Sequence, residues 1–89
     1  MGILKCASAG TLESSDAYVE IEPSKNGLNI QLESVVKTQF GEQIQMVVKE
    51  VLAENGVENA NVHVIDRGAL ECVIRARVET AVLRGKGCN

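Results

Sequence analysis

The sequence predicts an α+β domain in which a small antiparallel sheet is covered by one long amphipathic helix. Apolar and polar residues alternate with a period of two in residues 18–22, 28–33 and 61–65, as in strands with one buried face. Between residues 35 and 54 the apolar residues recur every three or four positions, which is the pattern of a helix with one buried side. The 89 residues suffice for a single domain over 1–89 and not for two.

The first two strands are predicted to pair as an antiparallel hairpin. Residues 18–22 place their valine and isoleucine on one face, and residues 28–33 do the same with two leucines and an isoleucine. The segment between them ends in Asn26-Gly27, a dipeptide typical of hairpin turns. A further edge strand is expected within residues 3–8, ahead of a turn at Gly10.

The long helix is expected to begin after Ser34, a common N-cap residue type, and to end at Asn55-Gly56. Its polar residues fall on one side and its apolar residues on the other, as a helix packed on a sheet requires. The predicted buried stripe comprises Val36, Phe40, Ile44, Val47, Val48 and Val51.

Residues 69–84 fit two structures, because their apolar residues align both as a strand and as a helix. We predict a strand through about Val78, followed by a helical turn or two, since the turn at residues 66–68 favours pairing with residues 61–65. Residues 85–89 are expected to form a frayed tail. In the predicted strand, Arg75 and Arg77 would project together and could bind a phosphate or a partner's carboxylate. Ordinary ion pairs on a solvated face are the alternative.

Composition argues against several classes of function. Twelve acidic and nine basic residues give a net charge of -3, which argues against a nucleic-acid partner. No apolar stretch approaches the roughly 20 residues that span a membrane, and the N-terminus lacks a secretory pattern, so we expect a cytoplasmic protein. Cys6, Cys72 and Cys88 form no C-x-x-C pair, and His63 is the only histidine. Neither a metal site nor a Cys-His nucleophile is therefore predicted.

Residues 9–16 read Ala-Gly-Thr-Leu-Glu-Ser-Ser-Asp, which is the composition of an exposed turn. Ser14 and Ser15, between two carboxylates, would be open to another protein. The alternative is an ordinary surface loop with local side-chain to backbone hydrogen bonds. No glycine-rich phosphate loop and no Ser-His-Asp order can be assembled elsewhere, so the sequence predicts no independent enzyme.

Three segments carry a resemblance to a known family and occur in the same order as in that family: residues 9–16, 37–44 and 66–77. The chain resembles the acyl carrier protein of citrate lyase, which is the gamma subunit of that enzyme. The similarity extends from about Ala9 to Arg84. It implies a carrier that is not catalytic alone and that holds 2'-(5''-phosphoribosyl)-3'-dephospho-CoA covalently, through a phosphodiester on a serine. Ser14 matches the modified serine of that family. The Asp-Ser-Leu motif and the four-helix pattern of fatty-acid-type acyl carriers are absent from the sequence.

The resemblance also implies partners. In that family the alpha subunit exchanges an acetyl thioester on the arm for a citryl thioester. The beta subunit then cleaves citrate to oxaloacetate, with a divalent metal such as Mg²⁺ expected there and not on this chain. An enzyme that attaches the arm and a ligase that acetylates it complete the set. The alternatives are the corresponding carrier of malonate decarboxylase and, from another class, a small interaction module without a prosthetic group.

Overall fold

A computed structural model describes residues 3–25, 27–34 and 37–87, with the backbone alone in 37–40. Over these residues it contains four strands and two helices. They are, in chain order, β1 (Ala7–Gly10), β2 (Ala17–Pro23), β3 (Leu28–Ser34), α1 (Lys37–Glu54), β4 (Ala60–Asp66) and α2 (Glu71–Gly85). The α+β class is confirmed, and the fold is not a four-helix bundle.

The four strands form one mixed sheet in the order β1-β2-β4-β3. β2 is antiparallel to both β1 and β4, whereas β3 is parallel to β4. The prediction of a purely antiparallel sheet is therefore wrong at β3. Parallel neighbours need a crossover connection, and α1 supplies it between β3 and β4. The predicted edge strand is present as β1, shifted toward the loop that follows it.

The predicted hairpin between β2 and β3 is also wrong, because β4 lies between these strands. At the turn that joins them, Gly27 N donates to Asn59 Oδ1 at 2.9 Å and Ala60 N donates to Gly27 O at 3.1 Å. The start of β4 is thus bonded to this turn. β2 and β3 are consequently separated by two strand spacings, roughly 9.5 Å. Alternation identified both strands correctly but carried no information on which strand is their neighbour.

The core lies between one face of the sheet and the two helices. α2 packs on β1 and β2, α1 packs on β3, and the helices contact each other. The inward residues of β2 and β4 are buried as predicted, whereas in the edge strand β3 only Leu32 is fully buried. In α1 the predicted stripe is confirmed for Ile44, Val47, Val48 and Val51. Val36 and the Phe40 side chain lie outside the described residues.

The two ends of α1 differ from each other in how well they were predicted. The helix ends at Glu54, and Asn55 Nδ2 donates to Val51 O at 2.9 Å, so the predicted stop is confirmed. Ser34 belongs to β3 and is not the N-cap. Its hydroxyl instead donates to Asp66 Oδ2 at 2.8 Å, across the β3–β4 pair.

Residues 71–85 are helical, so the predicted strand through Val78 is wrong. The buried side of α2 consists of Ile74, Val78, Ala81, Val82 and Gly85, which follow helical spacing. Cys72 is exposed on the other side of the helix. The turn before the helix explains the error. Asp66 Oδ1 accepts hydrogen bonds from Gly68 N at 3.1 Å and Ala69 N at 2.8 Å, a side-chain turn that leads into a helix and not into a paired strand.

The frayed tail was predicted to begin at Gly85, but this residue closes α2 and is buried. Its carbonyl accepts hydrogen bonds from Leu4 N at 2.9 Å and Lys5 N at 3.1 Å. A Cβ at Gly85 would lie 3.0 Å from Ile3 Cγ2, so glycine permits the close approach of the N-terminal segment. Residues 88 and 89 lie outside the described part of the chain.

Replacement of Gly10 should test the close contact at the end of β1. Gly10 has a φ of +98°, and a Cβ there would lie 1.9 Å from Ala17 O. We expect Gly10→Ala to lower the free energy of unfolding by about 2–3 kcal/mol, since strained dihedrals and a backbone clash act together. Gly27→Ala is the control, because Gly27 has a φ of +84° and a Cβ there would have nothing within 4 Å. It should cost about 1 kcal/mol. If urea denaturation showed the same loss of unfolding free energy for both variants, the proposed clash at Gly10 would be contradicted.

Candidate functional site

Residues 11–16 connect β1 to β2 and carry the two adjacent serines at their tip. Both serines are exposed. Asp16 N donates to Glu13 O at 3.2 Å, which closes a four-residue turn with Ser14 and Ser15 at its centre. Ser15 has a φ of +68°, the positive value that a type II turn requires at its third residue. Such a value is uncommon for a residue other than glycine, so the surroundings must hold it.

The backbone of this turn is bonded to the segment that follows β4. Ser15 N donates to Arg67 O at 2.8 Å, and Arg67 N donates to Asp16 O at 2.9 Å. These bonds continue the β2–β4 ladder, whose last register pair is Ala17 with Asp66. Ser14, in contrast, makes no hydrogen bond to any residue that the structure describes. The turn therefore fixes Ser15 and leaves the Ser14 hydroxyl accessible.

Asp16 ties the turn to helix α2. Arg77 Nε donates to Asp16 Oδ1 at 3.0 Å and Nη2 donates to Oδ2 at 3.1 Å, a bidentate pair between residues 61 positions apart. Within the loop, Thr11 Oγ1 donates to Asp16 Oδ2 at 2.6 Å and Ala17 N donates to Oδ1 at 2.7 Å. The Asp16 side chain is 17% exposed, so the pair is shielded from solvent on the carboxylate side. The Asp16 carboxylate thus binds residues at both ends of the loop, Thr11 and Ala17.

These donors stabilise the ionised carboxylate. The Arg77 guanidinium, then the Thr11 hydroxyl and the Ala17 amide, lower the pKa of Asp16 from 3.8 to about 2. Asp16 is therefore an anion at neutral pH and a very weak proton acceptor. Any negative charge that this carboxylate contributes near Ser14 is balanced by Arg77.

The structure separates the two arginines that the sequence placed together. Residues two apart on a helix point about 200° apart, so Arg75 and Arg77 lie on opposite sides of α2. Arg75 faces α1, where it contacts Glu50 and lies 3.9 Å from Glu54, and it lies 3.6 Å from Glu71 on its own helix. Arg77 reaches the serine turn. The helical interpretation of residues 69–84 would have indicated this separation, but not which residue Arg77 binds.

Asp66 positions the neighbouring segment of the site. Its side chain is buried, and it accepts the Gly68 and Ala69 amides on one oxygen and the Ser34 hydroxyl on the other. These three bonds satisfy a carboxylate that burial would otherwise destabilise. Because Asp66 fixes the turn between β4 and α2, it also fixes the Arg67 backbone that binds the serine turn.

The other candidate residues do not form a second site within the described ranges. No group of three or more His, Cys, Asp or Glu residues there could hold a metal ion. Cys6 and Cys72 are exposed free thiols, and Cys88 falls outside the described chain. His63 lies on the sheet face away from the helices, where its ring is 2.7 Å from Glu33 Oε2. No described helix is both long and apolar enough to cross a membrane.

Comparison with known proteins identifies the family. The family model described as malonate decarboxylase delta subunit (MdcD) matches residues 5–85. The chain is 58% identical over 85 residues to citrate lyase acyl carrier protein 2 of Salmonella typhimurium, covering 94% of this chain and 88% of that one. It is 54% identical over 84 residues to the citrate lyase acyl carrier protein of Lactococcus lactis, with coverage of 94% and 88%. The chain belongs to the citrate lyase acyl carrier protein family.

Two solved structures share the fold of this chain. A chain in the crystal structure of a Pseudomonas malonate decarboxylase hetero-tetramer in complex with malonate superimposes with a TM-score of 0.78 at 25% identity, covering 90% of this chain and 82% of that chain. A Thermus thermophilus protein superimposes with a TM-score of 0.68 at 12% identity, covering 94% of this chain and 16% of that chain, and shares the fold alone.

Membership of this family gives the chain a carrier role and implies a covalently attached prosthetic group. A carrier needs an accessible attachment atom on a well-held support. The serine turn fits that requirement, because its backbone and Asp16 are bonded to β4 and α2 while the Ser14 hydroxyl is exposed.

The Asp16–Arg77 pair predicts a specific pH dependence of stability. Because the pKa of Asp16 is lowered in the folded chain, its ionised form stabilises the fold above the unfolded pKa of about 3.8, and this stabilisation is lost as the pH falls toward about 2. We therefore expect wild-type stability to fall more steeply between pH 4 and 2 than that of Asp16→Asn, in urea denaturation at each pH. Glu79→Gln removes an exposed α2 carboxylate that has no ion pair among the described residues, and should retain the wild-type slope. If the unfolding free energies of wild type and Asp16→Asn changed with pH in parallel, the stabilising role of ionised Asp16 would be refuted.

Proposed function

We propose that this chain is the acyl carrier of a citrate lyase and that Ser14 Oγ holds a phosphoribosyl dephospho-CoA arm through a phosphodiester. The observation that carries the proposal is the exposed Ser14 hydroxyl, free of hydrogen bonds to the described chain, on a turn anchored to two elements. Identities of 54–58% to citrate lyase acyl carrier proteins support the choice of enzyme.

Two features favour Ser14 over Ser15. The Ser15 amide is bound to Arg67 O, and its φ of +68° is held by that contact and by the turn. An enzyme that attaches a phosphate-linked group must bring the phosphorus atom in line with the serine oxygen. Ser14, which forms no hydrogen bond with the described part of the molecule, can adjust to that enzyme without breaking the fold.

The chain is proposed to carry and not to catalyse. When attached, the arm supplies the thiol on which the acyl group travels. The Asp16 carboxylate is a poor base for activating the Ser14 hydroxyl, since it is occupied by Arg77 and Thr11 and has a pKa of about 2. Activation of Ser14 is therefore assigned to the attaching enzyme, and the role of this chain is to hold the arm at one place.

A fixed attachment point for the arm suits the delivery of an acyl group from one active site to another. Tethering turns each encounter of the acyl group with an enzyme into a local event at high effective concentration. The proposed partners are the alpha and beta subunits of citrate lyase, the attaching enzyme and the ligase that acetylates the arm, all in the cytoplasm. The divalent metal belongs to the beta subunit in this proposal. Neither a nucleic acid nor a membrane is required.

Malonate decarboxylase is the second candidate, because the family model and the superimposed hetero-tetramer both bear that name. The 25% identity to the hetero-tetramer chain is less than half the identity to the citrate lyase carriers. Purification of the large subunits that accompany the chain in its native host separates the two candidates.

Intact-mass analysis tests the attachment site. Produced without the attaching enzyme, the chain should fold unmodified. Produced with that enzyme and the cofactor precursor, it should gain one phosphoribosyl dephospho-CoA unit. We expect Ser14→Ala to abolish the adduct with little change in melting temperature, since an exposed hydroxyl without a partner contributes little to stability.

Ser15→Ala is the matched control and should keep the adduct, with slower attachment at most. Peptide mass spectrometry locates the modified residue. An adduct that persists in Ser14→Ala would move the site to Ser15, and an unmodified wild-type chain from the native host would favour the interaction module over a carrier.

A further inference from the structure

The four arginines of the chain all lie within the described residues, and three of them bind protein groups. Arg77 binds Asp16, Arg75 binds Glu50, and Arg84 Nη1 donates to Ser8 O at 2.8 Å. The Arg67 side chain is exposed and has neither a hydrogen bond nor an ion pair with any described residue. Its guanidinium is therefore available to a ligand.

Arg67 is also the arginine whose backbone is bonded to the serine turn. Its carbonyl accepts Ser15 N at 2.8 Å and its amide donates to Asp16 O at 2.9 Å. Asp66 holds this segment from the other side through the Gly68 and Ala69 amides. Those two amides are consequently occupied, and the Arg67 side chain is the nearby cationic group that remains unbound. A fixed backbone reduces the entropy lost when its side chain takes up a ligand.

The balance of charge around Ser14 favours this role. Asp16 is neutralised by Arg77, and Glu13 contributes an exposed negative charge to the turn. A phosphodiester on Ser14 would add another negative charge. Arg67 is the unpaired positive charge on the opposing segment, and guanidinium groups bind phosphate oxygens through two parallel hydrogen bonds.

We propose that the Arg67 guanidinium binds the phosphodiester that links the prosthetic group to Ser14. This inference rests on the proposed function, because it requires a phosphate at Ser14. Arg67 is a binding residue and takes no part in forming the bond. By contacting the phosphate it would hold the root of the arm against the turn, and during attachment it would help to bind the phosphate of the incoming group.

Nuclear magnetic resonance tests the contact directly. In the holo-chain, the ³¹P resonance of the phosphodiester should differ between wild type and Arg67→Gln, and the Arg67 Nε–Hε resonance should shift when the arm is attached. The Arg84 Nε–Hε resonance should not shift, because Arg84 binds the Ser8 carbonyl. Arg67→Lys identifies the Arg67 signal by its disappearance, and retains a positive charge.

The attachment reaction, followed by intact mass, provides the second readout. We expect Arg67→Gln to lower kcat/KM for the carrier roughly tenfold, mainly through KM, which is the size of effect that loss of a charge-assisted hydrogen bond produces. Arg67→Lys should recover part of the loss. Lys25→Gln also removes one exposed positive charge, in the turn at the far end of β2, and should stay within about twofold of wild type. Melting temperatures should be unchanged, because Arg67 holds the turn through its backbone.

The outcomes separate this inference from the proposed function. If wild type gains no adduct, or Ser14→Ala retains it, the proposed function fails and the Arg67 assignment fails with it. If the adduct forms on Ser14 but Arg67→Gln matches Lys25→Gln in rate and leaves the ³¹P resonance unchanged, only the Arg67 assignment is overturned. Slower attachment with an unchanged ³¹P resonance would make Arg67 a contact for the attaching enzyme, and would also overturn phosphate binding.

Discussion

The bidentate contact between Asp16 and Arg77 joins a loop near the start of the chain to a helix near its end. Thr11 and the Ala17 amide bind the same carboxylate, so the loop is closed on itself and docked on α2 by one side chain. The positive φ at Ser15 is compensated by the hydrogen bond from its amide to Arg67 O and by the closure of the turn at Asp16. The form of the serine turn is thus a property of the folded domain and not of the local sequence.

The sheet topology brings these groups to one end of the molecule. β4 lies between β2 and β3, and it runs antiparallel to β2, so the start of β2 and the end of β4 coincide at Ala17 and Asp66. The serine turn precedes β2 at this end, and the segment leading into α2 leaves β4 there. Arg67, in the segment between β4 and α2, and Arg77, on α2, are therefore both bonded to the turn. Had β3 paired with β2 as a hairpin, it would have taken the edge of β2 that β4 occupies. The end of β4 would then not lie beside the serine turn.

Sequence patterns predicted the parts of this arrangement that depend on a single element. Alternation marks Val19 and Val62 as buried because each strand has one face toward the core. It does not specify strand neighbours, which depended here on the α1 crossover and on the Gly27–Ala60 hydrogen bond. Residues 69–84 satisfy both periods, and the decisive interaction, Asp66 with two following amides, is local hydrogen bonding that hydrophobicity does not register. The exposed serine turn could be inferred from composition, whereas its arginine partners required the fold.

The hydrogen bonds to Asp16 both hold the serine turn in place and make this carboxylate a weak base. For the proposed carrier, an arm attached at a fixed position searches a limited volume, which raises the effective concentration of its acyl group at active sites within reach. Fixing the root through a strongly paired carboxylate also removes that carboxylate as a base, because the donors that hold Asp16 are the ones that lower its pKa to about 2. Asp16 is therefore a poor base for Ser14, and the only histidine of the chain lies on the far face of the sheet with Glu33. In the proposed function the chemistry comes from partner subunits, and this chain contributes the place from which the arm reaches them.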